Sequence, residues 1–284
     1  MKKLGIVITL IAIVGMAGAS YLIFSPVESI IPSESQDSLL EESWNSYRKS
    51  FITDDGRTLD KIEGITTSEG QSYSMLRALW IDDKETFDLV WEWTQNNLRS
   101  AREDMLFDWL WGQREDGSWG TLYRRGGGNT ASDAGIDIAL ALLLAERQWN
   151  EEQYRIQAIE ILDDIWELEI IEVNGRPYLL ASDVEMRFDK YEYVINPSYC
   201  APYAFRIFQQ VDIERDWEGV VETCYDVIEA SLAQYDGVEL PPDWMLLNTT
   251  NGEVYYSEEQ SPNYTYDALR IPWRLAVDVK WFET

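Results

Sequence analysis

The feature that most constrains this chain is a succession of helix-period apolar patterns separated by short breaks. In residues 85–98, Phe87, Val90, Trp91 and Thr94 recur at the i, i+3, i+4, i+7 spacing of one helical face. Residues 132–149 repeat that period through Ile138, Leu142 and Ala145. The same pattern predicts helices over Glu151–Leu168, Pro197–Gln210, Trp217–Ala233 and Tyr264–Phe282, and strand-like pieces are short and few. Gly, Pro and Asn cluster between these segments, at Gly126–Asn129, Asn174–Pro177, Asn196–Pro197, Pro241–Pro242 and Asn248–Gly252. Helices joined by short breaks form hairpins. No motif recurs at a fixed period, which disfavours a solenoid and leaves an all-α closed ring of helical hairpins, with a cleft built by the loops at one end.

Composition narrows the chemistry. The 284 residues include no His, which excludes Ser-His-Asp triads, Cys-His pairs and His-based zinc sites at once. Acid-base work must fall to carboxylates, Tyr, Lys or Cys. The net charge is 23 − 51 = −28, a surface that repels phosphate backbones and makes nucleic acid a poor partner. Thirteen Trp and 16 Tyr are more than a core requires, and flat aromatic faces are what sugar rings pack against. An aromatic-rich core explains the same count equally well.

Lys2 and Lys3 precede an uncharged, largely apolar run from Leu4 to Phe24, which reads as a membrane anchor or as a signal peptide with Ala17-Gly18-Ala19 at its cleavage site. Either reading places the rest of the chain outside the cytoplasm, as a membrane-anchored or secreted protein. Residues 25–38, rich in Ser, Pro and Glu, read as a linker, and the catalytic body is expected over 39–284. Cys200 and Cys224 suit either a disulfide or two buried thiols.

Three segments carry carboxylates that each have a plain structural explanation. Glu69, in Thr66-Thr67-Ser68-Glu69-Gly70-Gln71-Ser72-Tyr73, stands in the first turn of a predicted helix, with Ser68 as its expected N-cap. Ser132 or Asp133 can cap the helix of residues 132–149. Asp267 lies three residues before Arg270, on one face if the segment is helical, beside Tyr266 and Trp273.

Together these segments resemble glycoside hydrolase family 8, the bacterial cellulase, chitosanase, lichenase and xylanase family with an (α/α)6 barrel. The resemblance is in family order and spans most of the body. It implies that Glu69 is the general acid, that Asp133 in ASDAGIDIALALLLAERQW binds sugar at the reactive subsite, and that NPSYCAPYAFRIF brings Tyr199 to the cleft. It further implies that YDALRIPWR bears the general base Asp267, flanked by Tyr266 and Arg270. Two departures stand out: Gly135 replaces an acidic residue of the signature, and the family domain usually continues well past YDALRIPWR. A barrel incomplete at its C-terminus is therefore expected.

An inverting glycosidase needs no metal or cofactor. One carboxyl, here Glu69, is held protonated, while Asp267 stays ionised beside Arg270, the two standing about 6.5–9.5 Å apart. Trp109, Trp111 and Trp119 are the candidate stacking platforms. The reading is hydrolysis of a β-1,4-linked polysaccharide, with cellulose, mixed-linkage glucan, xylan and chitosan all open. The alternative is a polysaccharide-binding or assembly protein that keeps the fold without turnover.

Overall fold

The computed structural model describes residues 33–283 apart from 185–186, 234–239 and 257–262. The apolar N-terminal run and the first part of the expected linker lie outside these residues. Among the described residues no helix is long and apolar enough to cross a membrane. The chain divides between Asn45 and Ser46 into two compact units, and every functional candidate belongs to the second.

Helix α1 spans Ser33–Phe51, so the stretch read as linker is already helical from Ser33. There follow α2 (Ser68–Trp80), α3 (Lys84–Leu98), α4 (Ser132–Trp149), α5 (Glu152–Glu169), α6 (Pro202–Val211), α7 (Trp217–Ala233) and α8 (Arg270–Phe282). The predicted helices do pair as hairpins, since α2 packs on α3, α4 on α5 and α6 on α7. A second set of contacts joins α2 to α4, α4 to α6, and α6 to α8. These four helices form an inner layer, with α3, α5 and α7 outside them. Burial follows the layering: α4 is covered on every side from Ser132 to Leu142, including Ile136, Ile138 and Leu140, as an inner helix must be.

Two boundaries differ from the sequence reading. The helix predicted from Tyr264 starts only at Arg270, because Asp243 ties the preceding residues into a turn; its Oδ1 accepts the Thr265 and Ala268 N–H groups at 3.0 and 2.9 Å. The segment after Asn196 begins as a 3-10 turn, Pro197–Tyr199, before α6 resumes at Pro202, which lacks the N–H a continuous helix would need.

Nine short strands connect these layers among the described residues. Thr66–Thr67 (β1), Leu110–Gln113 (β2) and Trp119–Thr121 (β3) form an antiparallel sheet in which Thr66 faces Trp111 and Thr67 faces Leu110. Ile170–Val173 (β4) and Arg176–Leu179 (β5) make a hairpin across Asn174-Gly175, where both residues have positive φ. Arg187–Asp189 (β6), Glu192–Ile195 (β7), Met245–Asn248 (β8) and Val254–Tyr255 (β9) form a third sheet. Pairing of Ile195 with Met245 brings Asn196 and Asp243, which flank these strands, to one end of the sheet. Cys200 and Cys224 are both buried free thiols.

Two buried polar ties lock the loops. Gln71 on α2 is fully buried; its carbonyl accepts the Thr58 N–H, and its amide donates to Val90 O at 3.2 Å and Thr94 Oγ1 at 2.8 Å on α3. At the end of α5, Glu169 is buried and accepts the Thr130 hydroxyl, holding the loop that leads into α4. Its Oε2 has no partner among the described residues.

The Gln71 amide also donates to the Gly56 carbonyl at 3.3 Å, and each tie predicts an outcome. Gly56 has φ +92°, and a Cβ there would sit 2.2 Å from the Leu89 carbonyl oxygen on α3. Gly56→Ala should cost at least about 1–3 kcal/mol, seen as a lower urea midpoint with an unchanged m value. Burial pushes the Glu169 carboxyl up from 4.5 to about 8. The folded state keeps this proton where the unfolded chain loses it, so stability present at acid pH falls as pH rises from about 4.5 to about 8. Urea unfolding of Glu169→Gln at several pH values should show a flatter profile over that window.

Candidate active site

The site is assembled at the N-terminal ends of inner-layer helices. Glu69 occupies the first turn of α2, whose N-cap is Thr67 rather than the expected Ser68; Thr67 Oγ1 accepts the Gly70 N–H at 3.1 Å. Ser68 serves the carboxylate instead, because its hydroxyl donates to Glu69 Oε2 at 3.1 Å while its N–H is taken by the Trp109 carbonyl at 3.0 Å. The Gln71 tie fixes this turn against α3. Burial, and then the negative charge of Asp133, push the Glu69 carboxyl up to about 7.

Asp133 stands in the first turn of α4, and neither it nor Ser132 caps the helix. Ser132 turns its hydroxyl to the Leu180 carbonyl at 2.7 Å, and Asp133 points inward, 1% exposed. Its Oδ2 accepts from Arg270, while Oδ1 is buried with no partner among the described residues. Burial raises its pKa, against the pull of Arg270 and Arg274. At Gly135 a Cβ would meet Ile165 Cδ1 at 3.6 Å and Glu169 Oε2 at 3.9 Å, ordinary contacts. An acidic side chain at this position would therefore project toward Ile165 and the buried Glu169 carboxyl.

Arg270, first residue of α8, joins these parts. Its Nη1 donates to Asp133 and, at 3.3 Å, to the Tyr73 hydroxyl; its Nη2 donates to Asp267 Oδ1 at 2.5 Å and to Ser198 Oγ at 3.0 Å. Its guanidinium lies 5.1 Å from the centre of the Tyr199 ring. Asp267 is not helical, yet the three-residue spacing still pairs it with Arg270. Asn196 Nδ2 donates to its other oxygen at 3.3 Å. Arg270 draws the Asp267 carboxyl down as the sequence suggested, but burial, helped by Asp133 and Asp243, outweighs it and the net shift is upward.

A cavity of about 670 Å³ opens on this group, with Glu69, Tyr73, Asp267 and Arg270 in its wall and Trp80 and Trp273 beside them. Of the residues singled out from the sequence, Glu69, Asp133, Tyr199, Asp267 and Arg270 thus come together. Tyr266 lies on the rim, 88% exposed. The three tryptophans do not line this cavity. Trp109 gives its indole N–H to the Gly126 carbonyl at 2.8 Å, and Trp111 stacks on Trp119 with ring centres 5.3 Å apart. The Arg57 guanidinium covers both Trp111 and Trp119, and half-exposed Trp119 borders a second cavity of about 680 Å³.

Sequence reasoning missed four supporting residues. Asn196, Ser198 and Tyr73 sat inside segments already singled out, whose other residues drew the attention. Asp243 follows Pro241-Pro242 in a loop and carried no signal, although it sets the turn that aims Asp267.

Similarity to known proteins spans the body that carries this site. The family model described as glycosyl hydrolases family 8 matches residues 24–284. An endoglucanase of Escherichia coli strain K12 is 31% identical over 239 residues, covering 81% of this chain and 60% of that protein. One from Pseudomonas fluorescens strain SBW25 is 33% identical over 234 residues, covering 80% and 57%. The chain thus spans about 60% of the length of these curated relatives. Among solved structures, the endo-beta-1,4-glucanase of Acetobacter xylinum superposes with a TM-score of 0.74 at 25% identity, covering 84% of this chain and 72% of that one. A family 8 endoglucanase from Klebsiella pneumoniae gives 0.73 at 28% identity, covering 83% and 73%. The matched segments, the mostly helical fold and these likenesses agree: the chain belongs to glycosyl hydrolases family 8.

Proposed function

We propose that the protein hydrolyses a β-1,4-linked glucan by an inverting acid-base mechanism, on helical hairpins arranged as an (α/α)6 barrel. The observation that carries this reading is that Glu69 and Asp267 line one cavity in unlike surroundings. Glu69, with the Ser68 hydroxyl and the negative charge of Asp133 beside it, holds its proton to about pH 7, whereas Asp267 is paired directly with Arg270. Family membership and the endoglucanases among the relatives support the substrate class.

Glu69 donates its proton to the glycosidic oxygen as the bond to the anomeric carbon breaks. Asp267 takes a proton from the water that attacks that carbon from the opposite face, so the new hemiacetal has inverted configuration. Asp133 Oδ1, buried with no partner among the described residues, is an acceptor that a sugar hydroxyl reaching in past Glu69 and Arg270 would satisfy, offsetting the cost of burying it. The Tyr266 ring, with Trp80 and Trp273 in the cavity wall, offers apolar faces to neighbouring sugar units. The reading also places the body outside the cytoplasm, on the strength of Lys2 and Lys3 ahead of the apolar run; cell fractionation tests this.

Reducing-end release from carboxymethylcellulose, with the product anomer followed by NMR, tests the chemistry. Glu69→Gln should lower turnover by about 10²–10⁴-fold with binding retained, because the amide keeps its shape but has no acidic proton. Asp267→Asn should lose a similar factor, with chain cleavage partly rescued by azide, which needs no deprotonation and ends as a glycosyl azide, so the rescue is read as a fall in solution viscosity rather than as new reducing ends. The parent kcat/KM should rise as Asp267 ionises and fall through about pH 7 as Glu69 loses its proton. Near-parental turnover in both variants, or retention of configuration, would overturn the assignment.

A further inference from the structure

Beneath the ion pair that reaches the cavity lies a second one that the proposed chemistry does not use. Asp133 and Asp137 are four residues apart on α4, and Arg270 and Arg274 are four apart on α8, so the pairs form two rungs one helical turn apart. The lower rung is bidentate: Arg274 Nη1 donates to Asp137 Oδ1 at 3.1 Å and Nη2 to Oδ2 at 2.9 Å. Arg274 and Asp137 are 0% and 1% exposed. Nη1 also donates to the Tyr203 hydroxyl at 3.1 Å, so one guanidinium ties α4, α6 and α8.

A pair this deep is a weak source of stability. Stripping two ions of water costs several kcal/mol each, and well-packed apolar side chains often serve as well or better. What the forked geometry does fix is register. A one-residue slide of α8 moves it about 1.5 Å along its axis, enough to break the contacts of Arg270 with Asp133 and Asp267. We propose that Asp137 and Arg274 are positioning residues, which hold α8 in register against α4 and α6 so that Arg270 bridges Asp133 and Asp267. This rests on the acid-base reading of Glu69 and Asp267.

The charged and titratable groups around the lower rung are Tyr73 from α2, Asp133 from α4, Tyr203 from α6, Cys224 from α7 and, on α8 itself, Arg270. Arg270 lowers the proton affinity of both Asp267 and Glu69. Its displacement therefore moves both limbs of the pH profile upward, whereas a purely packing role moves neither.

The test uses the full chain acting on carboxymethylcellulose. In Asp137→Leu/Arg274→Met, which removes both charges together, thermal unfolding should stay close to the parent's. Turnover should fall at least about 10-fold with KM changed less than about 3-fold, and both pH limbs should move up. Arg274→Lys keeps the charge but not the fork, and should show smaller changes in the same directions; it decides the matter if the double variant does not fold. Parental kcat and unshifted limbs in a folded variant would overturn the proposal. If the parent itself releases no reducing ends, the acid-base reading fails, and positioning is judged from crystal structures of the variants. Arg270 still bridging Asp133 and Asp267 there would overturn it, and a displaced Arg270 would support it.

Discussion

The rest of the site depends on one guanidinium. Asp133 is buried beside Glu69 and within the field of Asp267, and three carboxyls in so small a volume repel one another whenever they ionise. Arg270 makes the arrangement tolerable by donating to Asp133 and Asp267 and by lowering the proton affinity of Glu69 from a distance. Breaking a buried pair by removing one member typically costs about 3–5 kcal/mol, since it leaves an uncompensated charge. That cost binds α4, α8, the Pro197–Tyr199 turn and the Asp267 turn into one unit.

The same arrangement sorts the carboxyls by environment. All three are raised by burial, but unequal help from cations separates them. Glu69 lies in the first turn of α2, where the helix dipole favours its charge, yet loss of hydration and the nearby Asp133 dominate. Asp267 keeps a direct bond to Arg270 and another from Asn196. The supporting polar residues are buried and largely paired: the Gln71 amide ties the Thr58 loop and α3, and the Asp243 carboxylate ties one turn. Rigid loops at helix ends are the result, which suits groups that must hold their positions without a ligand.

The aromatic excess divides into distinct uses. Trp217 is fully buried against Phe205, Phe208 and Trp166, as an aromatic core requires. Trp111 stacks with Trp119 beneath Arg57 on the first sheet, while Trp80 and Trp273 border the cavity that holds the carboxyls. Composition could not apportion these roles, because burial of a ring depends on which elements pack over it.

What the sequence determined by itself is the local part. Periods of 3.6 residues and their Gly, Pro and Asn breaks marked six of the eight described helices to within a few residues or in part, a capping segment marked the start of α2, and family-like segments marked Glu69, Asp133, Tyr199, Asp267 and Arg270. These signals are short-range, set by one helical face or one contiguous stretch. Only the tertiary structure decided that Thr67 caps α2, that Asp133 turns inward rather than capping α4, and that Asp243 holds the Asp267 turn. It also decided that burial outweighs Arg270 at Asp267, and that Arg274 meets Asp137 across 137 residues of chain. Desolvation and long-range pairing depend on how the inner helices pack on one another, and no local pattern of residues encodes that distance.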